Sequence, residues 1–247
     1  MARVAPRHVD MEMGHAPRLQ LDRRNFVRKV YSTVAAQLCL TALIATPIAT
    51  ASASWLQQHA GGLSSLSLWL TLGLLFAGCC SRGGMHGLMR RHPTNMVMLG
   101  VFTLAESIMV GLLCSMYEVE SVLLCLGLTG GAVAALTAWA FTTDMDTTRW
   151  GEHLVAASLG LSIVGIIAIF AGSPMLSTLY AGAGALLFAG FLVYDTQMII
   201  SNKHDSHRSF DIDDYAFASL MIYMDIVRMF IYLLRLLGED RKQRRRR

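Results

Sequence analysis

Four ionisable residues interrupt long apolar runs of this sequence: Glu106, Asp195, Asp225 and Arg228. A charge placed in bilayer hydrocarbon is costly, so each is by default an ion-path, proton-relay or paired residue. Asp195 stands about five residues before the end of its run, and Asp225 about nine after the start of the next. At 1.5 Å per helical residue these are depths of roughly 8 and 14 Å from the same side. Consecutive antiparallel helices are neighbours, so the two carboxyls can face each other. In a dry site two like charges cannot both ionise, and such a pair shares one proton. Two simpler arrangements stay open. Asp225 can pair with Arg228, one turn on at i+3, and Asp195 can cap or end its helix near the interface. Arg90 and Arg91 follow the second apolar run and read, on their own, as anchors on the positive side of a membrane.

The elements that must position these groups follow from composition. The chain has 247 residues, 54% hydrophobic and 15% charged, and a mean hydropathy of +0.46. Soluble domains carry about 25% charged residues, so a disordered chain or a soluble enzyme is excluded. Long apolar runs without alternation exclude an outer-membrane barrel. A helix crosses the bilayer core with about 20 apolar residues. Seven stretches qualify, near 32–54, 64–81, 96–117, 121–142, 153–172, 175–200 and 216–237. We therefore expect an all-α polytopic membrane protein. Residues 1–31 form a polar, basic N-terminal segment, 32–237 the transmembrane domain and 238–247 a basic tail.

Loop charges orient it. The N-terminal segment carries seven Lys and Arg, and later basic residues fall in alternate loops: Arg82, Arg90 and Arg91, then Arg149, then Lys203 and Arg208. The N-terminus reads as cytosolic. Arg241, Lys242 and 244–247 also ask for the cytosol, which seven full crossings deny them. A seventh segment interrupted by Asp225 and Arg228 near its middle can re-enter instead, and we expect a re-entrant last segment with a cytosolic tail.

Several motifs say less. Arg23-Arg24-Asn25-Phe26 before an apolar run, with Ala49 to Ala53 after it, has the form of a twin-arginine export signal, but the run from Ser32 is long enough to span and stay. The five cysteines lie in apolar stretches without a CxxC pair, and the eight histidines lack HxxxH spacing; they read as small buried hydrophobes rather than a metal or disulfide framework. Ala156 and Gly160, Gly127, Gly130 and Gly131, and the sixth span's Ala181, Gly182, Gly184, Ala185, Ala189 and Gly190 are small residues of the kind that let helices approach closely in lipid. The tail is read as a contact for anionic headgroups rather than nucleic acid.

Phe26-Val-Arg-Lys-Val-Tyr-Ser-Thr33 with Gln37 and Thr41, Arg91-His-Pro-Thr-Asn95, and Phe102-Thr-Leu-Ala-Glu106 with Val110-Gly111 form an ordered set. It continues through Ala135-Leu-Thr137, Phe141-Thr-Thr143, Tyr194-Asp195-Thr-Gln197, Asp213-Asp214-Tyr215 and Ile222-Tyr-Met-Asp225-Ile226, to Phe230-Ile-Tyr232 and Arg235-Leu-Leu-Gly238. Over about residues 26–238 this set resembles the transmembrane Bax inhibitor motif family, in its lifeguard-type branch. The resemblance implies six helices around a central seventh and a pH-sensitive calcium leak. It assigns Asp195 and Asp225 to the paired aspartates, with calcium passing near them and no fixed metal. It assigns Arg90 or Arg91 to an arginine that latches onto the pair, so that protonating the carboxylate releases the latch and favours opening. Glu106 matches an acidic third-helix position. Arg228 departs from the family's neutral polar residue, and a cation there is expected to hold Asp225 ionised.

The resulting expectation is a calcium leak channel of an intracellular membrane, endoplasmic reticulum or Golgi ahead of the plasma membrane, that restrains cell death or stress signalling. Its partners are calcium, membrane lipids and cell-death regulatory membrane proteins; no cofactor, nucleic acid or enzymatic activity is expected. The alternative is a non-conducting adaptor acting through protein partners. A remote alternative is an intramembrane aspartyl protease, to whose first motif Tyr194-Asp195 is similar. The chain has Ile222-Tyr223-Met224-Asp225 where that class has Gly-x-Gly-Asp, and it lacks Pro-Ala-Leu.

Overall fold

The structure is a computed structural model. It describes residues 7–81, 87, 89, 90, 92–200 and 214–241, and the side chains among these except those of 7–22 and 148. Arg82, Arg91, Lys203, Arg208 and the tail residues 242–247 lie outside the described residues.

Seven long helices make up the described chain: α1 (Arg7–Ala49), α2 (Ala53–Cys80), α3 (Thr94–Cys114), α4 (Val119–Thr142), α5 (Gly151–Ala171), α6 (Pro174–Ile200) and α7 (Tyr215–Leu237). Each carries a stretch long and apolar enough to cross a bilayer, beginning at Arg23 in α1. In lipid every backbone polar group must be satisfied within the segment, which a helix alone does. Local sequence sets the ends. Ser52 caps α2 by accepting from the Trp55 N–H at 3.4 Å. Gly172 ends α5 at φ +59, a left-handed conformation that costs glycine little. Pro174 opens α6, where its missing N–H costs nothing.

The packing is inside-out, as a lipid solvent allows. More than half of the membrane windows of α3 and α7 is buried, but only 6% of that of α5. Ile163, Ile166, Ile169 and Phe170 of α5 face outward. The last helix packs mainly on α6, α1, α4 and α3, and the α6–α7 contact is the most extensive in the molecule. Glycine enables close approaches between helices: a Cβ on Gly111 would lie 2.9 Å from Ile48 Cβ of α1, and one on Gly184 would run into the Tyr232 ring of α7. Gly127, Gly130, Gly131, Gly160 and Gly182 face open space, so the small-residue sets of α4 and α5 are not packing faces of this bundle.

The cysteines also divide. Cys114 and Cys125 are buried as expected, whereas Cys39, Cys79 and Cys80 are exposed. They lie on the outward, apolar faces of peripheral helices, where a small hydrophobe is as well solvated by lipid as by protein.

The last helix is not re-entrant. It runs parallel to α1 and α3 from end to end. Asn95 Nδ2 donates to Tyr215 Oη at 2.8 Å, and Ser219 Oγ donates to Val30 O at 3.3 Å. Thr41 and Tyr223 hydroxyls meet at 2.8 Å. Beyond α7, Glu118 N donates to Glu239 O at 3.0 Å and Arg241 N to Met116 O at 3.1 Å. The Arg241 guanidinium reaches Ala49 O at 3.3 Å. Residues 238–241 are thus pinned to the loop between α3 and α4, at the end of the bundle opposite Arg23. With a cytosolic N-terminus they are non-cytosolic, against the expectation of a cytosolic tail. The charge cost that argued for re-entry is offset inside the bundle, where Arg228 finds a carboxylate.

Candidate functional site

The α6–α7 seam carries the two aspartates. Both helices turn a carboxyl into the interface: Asp195 is 1% exposed and Asp225 5%. The two carboxyls stand against each other, as their matched depths suggest. Neither Asp195 oxygen, nor Asp225 Oδ2, has a hydrogen-bond partner of ordinary geometry among the described residues. Buried polar atoms are nearly always partnered, so at the most extensive helix contact among the described residues these two carboxyls have chiefly each other.

Among the described residues no arginine is seen to supply a partner. Arg228 turns to Glu106 of α3, its guanidinium 2.9 Å from Glu106 Oε1. The expectation that Arg228 pairs with Asp225, or holds it ionised, is therefore corrected. Helical spacing allowed the i+3 contact, but the rotation of α3 brings a second carboxylate to the other side of the guanidinium.

For Arg90 the expected latch onto the pair is not what the structure shows. Arg90 grips Asp214, with Nε 2.5 Å from Oδ1 and an Nη atom 2.9 Å from Oδ2. This fork-to-carboxylate geometry is the strong form of a charged hydrogen bond. Asp214 immediately precedes α7, and Asp225 lies roughly 16 Å further along the helix axis. That depth is beyond a guanidinium anchored at Asp214. Arg91, the other candidate, lies outside the described residues.

Polar side chains line the bundle above and below the pair. Gln37 Nε2 donates to Thr103 Oγ1 at 3.0 Å, while Gln37 Oε1 is unpartnered among the described residues. Tyr31 Oη meets Thr196 Oγ1 at 3.2 Å, next to Asp195 in sequence. Gln197 holds the loop before α5, accepting from Thr147 N at 2.8 Å and donating to Met145 O at 2.8 Å. In the half of the bundle away from Arg23, a cavity of about 500 Å³ opens between α2, α3 and α7. Ser64, Ser65, Thr71, Glu106, Arg228 and Arg235 are among its lining residues. Asp214, Gln37 and Thr103 carry structural roles that a census of charges inside apolar runs passes over. Asp214 sits two residues before its run, and the other two are uncharged.

The family described as inhibitor of apoptosis-promoting Bax1 matches residues 23–242 of the chain. Human protein lifeguard 3 is 32% identical over 224 residues, which cover 88% of this chain and 69% of that protein. The BI1-like protein of Arabidopsis thaliana is 32% identical over 250 residues, 96% of this chain and 93% of its own. Protein lifeguard 4 of Mus musculus is 32% identical over 222 residues, 90% and 87%.

Proposed function

This chain belongs to the family described as inhibitor of apoptosis-promoting Bax1, and from that premise we propose that it is a pH-gated calcium leak of an intracellular membrane that restrains cell death. The observation that carries the reading is the buried Asp195–Asp225 pair, with no cationic partner among the described residues. With one shared proton the carboxyls hold α6 against α7. Losing that proton places two like charges side by side at low dielectric, where repulsion is strong, and drives the seam apart. The opened pair is then a cation site.

Calcium suits it as cargo and not as a resident. Calcium takes six to eight oxygen ligands, whereas two carboxylates supply at most four. Among the described residues no three His, Cys, Asp or Glu side chains gather as a metal site. A cation held by two carboxylates and water binds weakly enough to leave, as conduction requires. The cavity at Glu106 and Arg228 is the entry from the non-cytosolic side, and the Arg90–Asp214 pair the closure on the cytosolic side. With Arg90 engaged at Asp214, the sign of the pH response follows from repulsion in the pair: flux rises with pH, the reverse of a latch released by protonation.

The endoplasmic reticulum or Golgi is the proposed membrane, and a calcium gradient across it the driving force. The test is calcium entry into indicator-loaded vesicles containing the purified full chain, against protein-free vesicles. Entry that saturates with protein and is blocked by lanthanide supports the leak. Vesicles no leakier than the controls at any pH overturn it and leave the adaptor, which needs no conductance.

A further inference from the structure

Of the five thiols in the chain, two stand apart from the rest. Cys79 and Cys80 are the last two residues of α2 and both are exposed. Cys114 and Cys125 are buried between helices, and Cys39 is exposed but lies mid-way along the span of α1. The end of α2 is the cytosolic end on the orientation given by the basic loops, because Arg82, Arg90 and Arg91 follow it directly.

The surface leading to this pair is apolar and uncovered. Trp69, Leu72, Leu75 and Phe76 of α2 are 71%, 44%, 54% and 72% exposed. Spacings of three and four residues place Trp69, Leu72, Phe76, Cys79 and Cys80 on one side of the helix. α2 packs principally on α3, so this stripe faces lipid and delivers its two thiols to the level where hydrocarbon meets the cytosolic headgroups.

We propose that Cys79 and Cys80 form an S-acylation site whose substrate is a long-chain acyl coenzyme A thioester, transferred by a membrane-bound acyltransferase working at the cytosolic interface. Juxtamembrane cysteines are the acceptors of this chemistry. The cysteine sulfur bonds to the acyl carbonyl carbon, the carbon–sulfur bond to coenzyme A breaks, and the thiol proton leaves on coenzyme A. No oxidant is involved. The new chain lies back along the Leu72–Phe76 stripe, and an adjacent pair admits two chains. Cys39, too deep for an interfacial enzyme, and the buried Cys114 and Cys125 stay free.

The experiment is thioester exchange on the full chain expressed in eukaryotic cells. Free thiols are blocked with N-ethylmaleimide, thioesters are cleaved with neutral hydroxylamine, and the released thiols are tagged with polyethylene-glycol maleimide. Wild type gives hydroxylamine-dependent species with one and two added tags. Cys79→Ser and Cys80→Ser each give at most one, and the double variant gives none while keeping the wild-type elution volume in detergent. A wild type with no hydroxylamine-dependent shift, or a double variant that keeps the shift, overturns the proposal. So does labelling of unacylated Cys79 and Cys80 by impermeant maleimide only after the organelle membrane is opened.

Discussion

Arg228 reaches across the bundle to Glu106, 2.9 Å from its Oε1, although Asp225 lies one turn back on the same helix. This leaves the Asp195–Asp225 pair without a cation among the described residues and puts an ion pair in the wall of the cavity between α2, α3 and α7. If the cavity is the cation entry proposed above, Arg228 there repels cations and Glu106 attracts them.

Opposite charges in one pair make opposite predictions. Arg228→Gln should raise calcium flux in vesicles, and Glu106→Gln should lower it. A purely structural pair would move both in one direction. Either single variant also leaves a lone charge, at a cost toward the low end of about 1.5–3 kcal/mol because Arg228 is partly exposed. The double variant should recover most of the lost thermal stability.

The cytosolic clamp is tested by exchange. Arg90→Ala and Asp214→Asn should each raise resting flux, and the swapped pair Arg90→Asp with Asp214→Arg should restore it at least in part. Equal flux in wild type and both single variants removes the clamp from the mechanism. The Asp195–Asp225 site is not then affected, because the two sites lie at different depths.

Close packing at the α6–α7 seam predicts a contrast between two nearby glycines. Gly184→Ala drives a Cβ into the Tyr232 ring, which stacks on Phe188 at 5.7 Å and meets the Tyr180 hydroxyl at 2.9 Å. Overpacking of this kind costs about 1–3 kcal/mol. Gly182→Ala meets open space and should be neutral or slightly stabilising in the helix. Melting of the detergent-solubilised protein reads the difference.

Full crossing by α7 places the C-terminus opposite the N-terminus. A tag after Arg247 should be protected from protease in intact vesicles while an N-terminal tag is cut. Digestion of both in intact vesicles contradicts the pinning of residues 238–241 to the loop between α3 and α4.

Span positions were largely legible in the sequence because hydropathy sums over many residues. Five of the seven expected stretches fall within three residues of the observed helices. The two exceptions have particular causes. α1 is one helix over Arg7–Ala49, so Arg23, Arg24, Arg28 and Lys29 continue the helix of the apolar run ahead of Ser32, and the run's end at residue 54 overshoots the helix by five residues. α2 begins at Ala53, not Ser64, because its first turns are rich in Gln, Gly and Ser, which lower hydropathy without breaking the helix. The aspartate pair was legible because depth along a helix is counted in residues. The partners of Arg228 and Arg90 were not, since they depend on how α3 is rotated and on how far above Asp225 the Arg90 side chain is anchored. Re-entry of the last segment was a misreading of the same kind: the isolated segment is costly to bury, and its compensation comes from other helices.

The most direct measurement is calcium flux into vesicles across a pH series for wild type, Asp195→Asn and Asp225→Asn. Repulsion between two ionised carboxylates requires both of them. Wild-type flux should therefore rise with pH, and each variant should lose most of that rise while still inserting and melting as a folded protein. A wild-type flux that falls with pH, or Asn variants that follow the wild-type curve throughout, contradicts a gate built from Asp195 and Asp225.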